Sequence, residues 1–189
     1  MGVVGLGGPG SLIDARPPDK GLSDTYWFAS YGSNVLSVTD PHGIAVDNND
    51  GSVYAVGNHD DHTVNPSRSK IFLIKYDKSG TLQWQRNLYG SGNEYGRGVG
   101  VDGDGNVYIC GHSDLNNYGN ASDIVIAKYN SSGVIQWQKR FGGSNYEYAE
   151  SAMKVDSDGN SYIPMRDNST HSYKSLMGYV SFDSSGNKR

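Results

Sequence analysis

The sequence is poor in the residues that would make most functional classes easy to argue. It has one cysteine, Cys110, so no disulfide forms within the chain, and redox compartment stays open. It has no apolar run approaching the length of a membrane-spanning helix, which excludes insertion by that route. It has no excess of positive charge: the formal net charge of -4 argues against an extended nucleic-acid surface. The start, "MGVVGLGGPGSLIDARPPDKG", has no basic region ahead of an apolar core and does not read as a secretory signal peptide. Leu6 stands where a myristoylation motif needs Ser or Thr. Leu and Ala are scarce, which counts against helices.

What is abundant is glycine, with 26 residues, and tyrosine, with 14. That composition favours strands joined by tight turns. Self-comparison gives the organising feature. "LYGSGNEYGRGVGVDGDGNVYICG" (88–111) lies over "FGGSNYEYAESAMKVDSDGNSYIPM" (141–165), with Asp102 on Asp156, Gly105 on Gly159 and Tyr108 on Tyr162. "KYDKSGTLQWQ" (75–85) lies over "KYNSSGVIQWQ" (128–138), and "SFDSSGNKR" (181–189) repeats its first part. Gly80, Gly133 and Gly186 recur at one interval, shared by Trp84 and Trp137. A looser copy begins with "YWFASYG" at Trp27 and continues in "GIAVDNNDGSVYAVG" (43–57).

Each unit divides into four strand patterns, A to D. Pattern A ("GIAVD", "GVGVD", "AMKVD") sets small residues such as Gly98 and Gly100 on one face and Val99 and Val101 on the other. Pattern B is "SVYAVG", "NVYICG" or "SYIPM". Pattern C ("IFLIKY", "IVIAKY", "MGYVSF") is almost continuously apolar, as expected of a strand covered on both faces. Pattern D ("TLQWQ", "VIQWQ") alternates apolar and amide residues and carries a charged flank, which suits an exposed edge. Four strands in a unit of roughly 50 residues describe a β-propeller blade. The fold class is therefore all-β, with about three blades of four antiparallel strands. The units run roughly 25–80, 81–133 and 134–189, behind a Gly/Pro-containing arm at 1–24. Three blades fall short of the four to eight of single-chain propellers. Residues 25–31 could close the last blade by joining pattern C at 174–182. Oligomerisation into a six-bladed ring, or further sequence, would complete the structure equally, and these two are favoured.

The glycine-rich stretches read as turns. "DGDGN", "DNNDGS" and "DSDGN" each join A to B; Asp and Asn bond their own backbone and Gly accepts positive φ. An EF-hand loop would need Gly and Glu where Val107 and Ser113 stand, so calcium is the lesser alternative. A phosphate loop would need a Lys after its last Gly and a following helix. "YDKSGTLQW" reads as the C-to-D turn, ending in a Trp that packs between blades.

"GSGNEYGRGVGVDGDGNVYICGHS" closely resembles the bacterial β-propeller repeats called SBBP repeats. Residues 141–165 match through Asp156 to Tyr162 and then depart at Pro164 and Met165; residues 43–57 match in the strands alone. The resemblance covers about residues 26–189. It implies blades of large surface, secreted or virion proteins, and it implies no catalytic residues. Similar repeats in marine bacterial and phage proteins make a virion component the expected setting.

Candidate chemistry is sparse. "NHDDH" (58–62) could offer imidazoles and carboxylates to a metal, but the other units lack it and no closed ligand set assembles. Cys110 sits inside a strand between apolar neighbours and reads as core. No Ser or Cys has an identifiable His and acid partner. Glu94 and Glu147 recur at one place, which favours a structural role over a glycosidase pair. No catalytic residue, metal site or cofactor is therefore assigned. The D-to-A loops (89–98, 142–151) and B-to-C loops (58–69, 112–122, 166–173) should share one rim. They carry Tyr95, Tyr118, Tyr146, Tyr148 and Tyr173, an aromatic set suited to sugars and protein surfaces alike; wedging between blades is the equal alternative. The expected function is a non-enzymatic structural or adhesion module of a virion, phage tail or cell surface. Its expected partners are other subunits, other copies of itself foremost. A glycan-binding propeller, and a fragment of a propeller hydrolase or quinoprotein, are the alternatives.

Overall fold

A computed structural model describes residues 37–61, 68–88, 90, 92–114, 122–143, 146–150, 152–170 and 174–189. The arm at 1–24 and the segment 25–31 lie outside the described residues. The described chain folds into twelve strands: β1 (Ser37–Val46), β2 (Val53–Asp61), β3 (Arg68–Tyr76), β4 (Leu82–Leu88), β5 (Asn93–Val101), β6 (Val107–Asp114), β7 (Ser122–Tyr129), β8 (Ile135–Phe141), β9 (Glu147–Ala149), β10 (Lys154–Val155), β11 (Ser161–Thr170) and β12 (Lys174–Phe182). No helix occurs among the described residues. Sheet 1 is ordered β1-β2-β3-β4 and sheet 2 β5-β6-β7-β8, all antiparallel, so the A-to-D patterns of units one and two each become one meander. In sheet 3, β10, β11 and β12 follow in order and β9 also pairs with β11. Among the described residues the sheets stack in tandem and do not close on themselves.

One turn design serves both hairpin types. In "DKSGT" Asp77 N donates to Thr81 O and Gly80 N to Asp77 O, both at 2.9 Å. The same pair of bonds closes the turns that begin at Asp102, Asn130, Asp156 and Asp183. The side chain reinforces them: Asp77 Oδ1 accepts from the N–H of Ser79 and Thr81 at 2.9 and 3.0 Å. The glycine before the exit strand takes positive φ in all six turns, the form that a three-residue hairpin loop with its bulge requires. "DNNDGS" is one residue longer and closes on Ser52. The stretch that looked like a ligand loop is thus spent on backbone geometry. Asp102 accepts from Asn106, from Tyr108 Oη at 3.1 Å, and faces Lys128 Nζ at 3.6 Å.

The core lies between sheets. Tyr54, Val56, Ile71 and Leu73 of sheet 1 meet Val99, Val107, Ile109, Ala127 and Tyr129 of sheet 2. Tyr108, Cys110, Ile124 and Ile126 of sheet 2 meet Met153, Ile163, Val180 and Phe182 of sheet 3. Pattern C is covered on both faces in β3 and β7, as its apolar run requires. In β12 it is not: Met177 and Tyr179 are exposed. Each D-strand tryptophan bridges to the following sheet. Trp84 Nε1 donates to Ser131 O at 3.1 Å and Trp137 Nε1 to Ser184 O at 3.0 Å, each ring lying over the next turn's glycine. Pattern A needs small residues for the reason its composition suggests. A Cβ on Gly100 would stand 2.6 Å from Val155 Cγ2 of the next sheet.

Strand lengths differ from the sequence reading. β2, β6 and β11 run on through Asp61, Asp114 and Thr170, and β5 starts at Asn93. Much of what polar composition marked as loop is paired backbone, because ladder bonds satisfy polar segments as well as apolar ones. The A strand bulges in sheets 1 and 2, between Pro41 and Gly43 and between Gly96 and Gly98. In sheet 3 it breaks outright into β9 and β10 opposite Pro164, which has no N–H for the ladder and accepts from Glu150 N at 3.1 Å.

Candidate functional site: the aromatic rim

The six Asx turns of the described residues lie at one end of the sheets; the strand ends that lead into the B-to-C and D-to-A connections lie at the other. Among the described residues that second end gathers aromatic and charged side chains. Tyr95, on β5 just before the bulge, pairs with His112 on β6. Tyr148, on β9, occupies the matching position in sheet 3 and pairs with Arg166 on β11. The rings form a continuous row. Tyr95 and His112 lie 5.0 Å apart, His112 and Tyr148 5.1 Å apart and edge-on, and Tyr148 and Tyr146 5.9 Å apart and stacked. Arg166 covers the Tyr148 ring at 5.2 Å. Three of the five sequence-assigned tyrosines are therefore brought together, and they bridge the junction of sheets 2 and 3. Tyr118 and Tyr173 lie outside the described residues.

His112 is the residue that sequence reasoning missed. It was one histidine among five, and nothing local marks it; only the pairing with Tyr95 and the packing of Tyr148 do. It is 5% exposed, and its Nδ1 has no hydrogen-bond partner. Burial first, then Arg97, Arg166 and His42, lower its pKa to about 4, against a hydrogen bond to the Ala149 backbone. At neutral pH it is an uncharged spacer between tyrosines. The backbone here is close-packed: a Cβ on Gly111 would run into the Tyr95 carbonyl, so strand B needs glycine beside the bulge.

The rim changes character from sheet to sheet while its framework stays fixed. Asn58, His112 and Arg166 occupy one strand-B position, opposite Asp40, Tyr95 and Tyr148. Bulge positions hold His42 and Arg97, and Glu150 follows the A-strand segment β9. His42 bonds Asn58 through Nε2 at 2.7 Å, and Arg166 pairs with Glu150 at 2.6 Å. The "NHDDH" stretch is thereby partly explained: Asn58 to Asp61 end β2, and His62 lies outside the described residues. No group of three or more His, Cys, Asp or Glu gathers as a metal set among the described residues.

The recurring glutamates hold loops. Glu94 is 3% exposed, accepts from Ser113 Oγ at 3.1 Å and packs on Gly90; Glu147 accepts from Gly143 N at 3.3 Å. Burial raises the pKa of both. Cys110 is fully buried and its thiol is pushed up to about 12, so it is a packed apolar residue and not a nucleophile. Asn130 spends its side chain on the N–H of Ser132 and Val134.

Three comparisons fit this geometry. Residues 87–119, the second A–B hairpin and its flanks, match the family model of the SBBP beta-propeller repeat. The chain is similar to the regulatory protein FlaEY of Caulobacter vibrioides, 30% identical over 161 residues, or 72% of this chain. It spans 16% of that curated relative's length. Among solved structures it resembles the Hadza microbial sialidase Hz136, with a TM-score of 0.57 and 13% identity, over 78% of this chain and 35% of the other. At that identity the likeness speaks for the fold alone. The chain carries an SBBP β-propeller repeat, and its architecture is that of propeller blades.

Proposed function

We propose that the chain is a non-enzymatic β-propeller module of a virion, phage tail or cell surface, acting in assembly or attachment. The carrying observation is where its reactive side chains go. The turn carboxylates cap backbone N–H groups, Glu94 and Glu147 brace loops, and Cys110 is sealed in the core. Among the described residues the surface offers contact chemistry: a half-buried tyrosine row on the rim and bare apolar residues on the outer sheets. Mass spectrometry of purified particles, or biotinylation of intact cells, tests the placement. Recovery solely in the soluble cell interior overturns it, and turnover of any substrate by the purified chain overturns the non-enzymatic part.

A second reading, a glycan-binding propeller, draws on the rim itself. Stacked tyrosines beside Arg166 offer flat apolar faces with a cationic donor, which is how sugar faces are held. A glycan array compares the chain with Tyr95→Ala and Tyr148→Ala. Saturable binding lost in both variants supports this reading; a blank array for the parent chain removes it.

A further inference from the structure

Sheet 3 is laid out on the same lattice as sheets 1 and 2 but lacks their cover. Register sets Tyr162 opposite Ser181 and Pro164 opposite Tyr179, as it sets Tyr108 opposite Lys128 and Cys110 opposite Ile126. At those positions in sheets 1 and 2 the next sheet seals the side chains: Ile71 and Ile124 are 0% exposed, Leu73 and Ile126 1%. Their counterparts in sheet 3, Met177 and Tyr179, are 88% and 70% exposed, beside a half-open Tyr162. The edge is open too. β3 pairs with β4 and β7 with β8, whereas among the described residues β12 pairs with β11 and bridges only to Lys188. Exposed apolar face and open edge together describe half of an inter-sheet contact.

The opposite end of the described structure bears the other half. Val99 in sheet 2 and Met153 in sheet 3 are 4% and 2% exposed because the preceding sheet covers them. Their counterpart in sheet 1, Ile44, is 72% exposed, and Val46 two residues on is 54% exposed. Phe72, Ile74 and Tyr76 on β3 are already buried, so the bare part of sheet 1 is its inner strand. We propose that the trailing face of sheet 3, centred on Met177 and Tyr179, docks the leading face of sheet 1 in a second copy of this chain. The contact uses the inner-strand part of an interface the chain makes twice within itself; the strand-C part is already covered in sheet 1. Two such junctions between two copies set six sheets in one ring, inside the range of single-chain propellers. A head-to-tail contact that closes leaves no free end to grow a fibre. The inference rests on the module reading above and names its partner.

Native mass spectrometry and sedimentation of the full chain test it, with Met177→Glu/Tyr179→Glu and Ile44→Glu as variants. All three side chains are exposed, so the circular dichroism spectra of the variants should match the parent's. The parent chain should run at twice the 20.4 kDa of one copy. Each variant alone should associate at least about tenfold more weakly. Mixing the two variants should restore a dimer, because one junction then has both native faces. A monomeric parent chain overturns the proposal and leaves the face to a following sheet of a longer polypeptide. Variants that stay dimeric, or a mixture that stays monomeric, overturn it as well. Turnover by a dimeric chain would instead sink the non-enzymatic reading and leave the docking intact.

Discussion

In the turns of Gly133 and Gly186 a single glycine fixes both the chain reversal and the seat of a tryptophan. Gly133 has φ of 75°, and a Cβ there would lie 2.9 Å from Trp84 Cδ2. Gly133→Ala should therefore lose about 1–2 kcal/mol from the left-handed backbone alone, and more from displacing the indole. Gly178, with nothing within 4 Å of its would-be Cβ, is the control. Urea unfolding of the two variants checks this; equal losses would show that the turn does not seat the tryptophan. At His112 the relevant variable is pH. Its folded pKa of about 4 lies below the ordinary value of 6.5, so the folded state disfavours the protonated ring. The stabilisation is fully present above 6.5, and is lost as pH falls from there through about 4. The parent chain should lose on the order of 2–3 kcal/mol more than His112→Asn across that window. Asn is the choice because Asn58 fills the same position in sheet 1. Denaturant midpoints at pH 7 and pH 4 decide it, and parallel curves would remove His112 as the cause.

At the scale of strands and turns, repetition made the sequence readable. Three copies of "VD…GN/GS…Y" locate the A–B hairpin without reference to any single propensity, and the two "QW" copies locate strand D. What stayed hidden was whatever differs between copies. Tyr95 reads as loop, since "GSGNEYGRG" is rich in glycine, yet it is a strand residue held by pairing to His112. The rim depends on which side chain stands opposite which, and register is a property of two strands and not of one. Pro164 was visible as a departure, but the breaking of strand A into β9 and β10 follows only from its position facing that strand. The tryptophans give a test at this scale. Trp84 serves the junction of sheets 1 and 2, packing on Tyr54 at 5.8 Å; Trp137 serves that of sheets 2 and 3, against Tyr108 at 5.9 Å. Because they share no partner, Trp84→Phe and Trp137→Phe should add to within about 0.5 kcal/mol in the double variant. A larger coupling energy in the double-mutant cycle would mean that the two junctions are not independent.

For the whole molecule, the distribution of cores predicts the order of opening. One cluster joins sheets 1 and 2, the other joins sheets 2 and 3, and sheet 2 alone contributes to both. A stack whose units touch only their neighbours behaves as a one-dimensional array, whose stability is a sum of unit and junction contributions. Opening sheet 3 sacrifices one junction; opening sheet 2 sacrifices two. Sheet 3 is also the weaker unit, with a broken first strand and β12 bare on its trailing face. Amide hydrogen exchange should then be slowest in β6 and β7 and fastest in β12, with β10 and β11 between. The measurement belongs on Met177→Glu/Tyr179→Glu, where the trailing face is kept free of a second copy. Protection in β12 equal to that in β7 would contradict the stacked-array picture, because a strand exposed on one face cannot be as costly to open as one sealed on two. In the parent chain at high concentration, protection should rise in β12 and in β1 together, since docking would cover both at once.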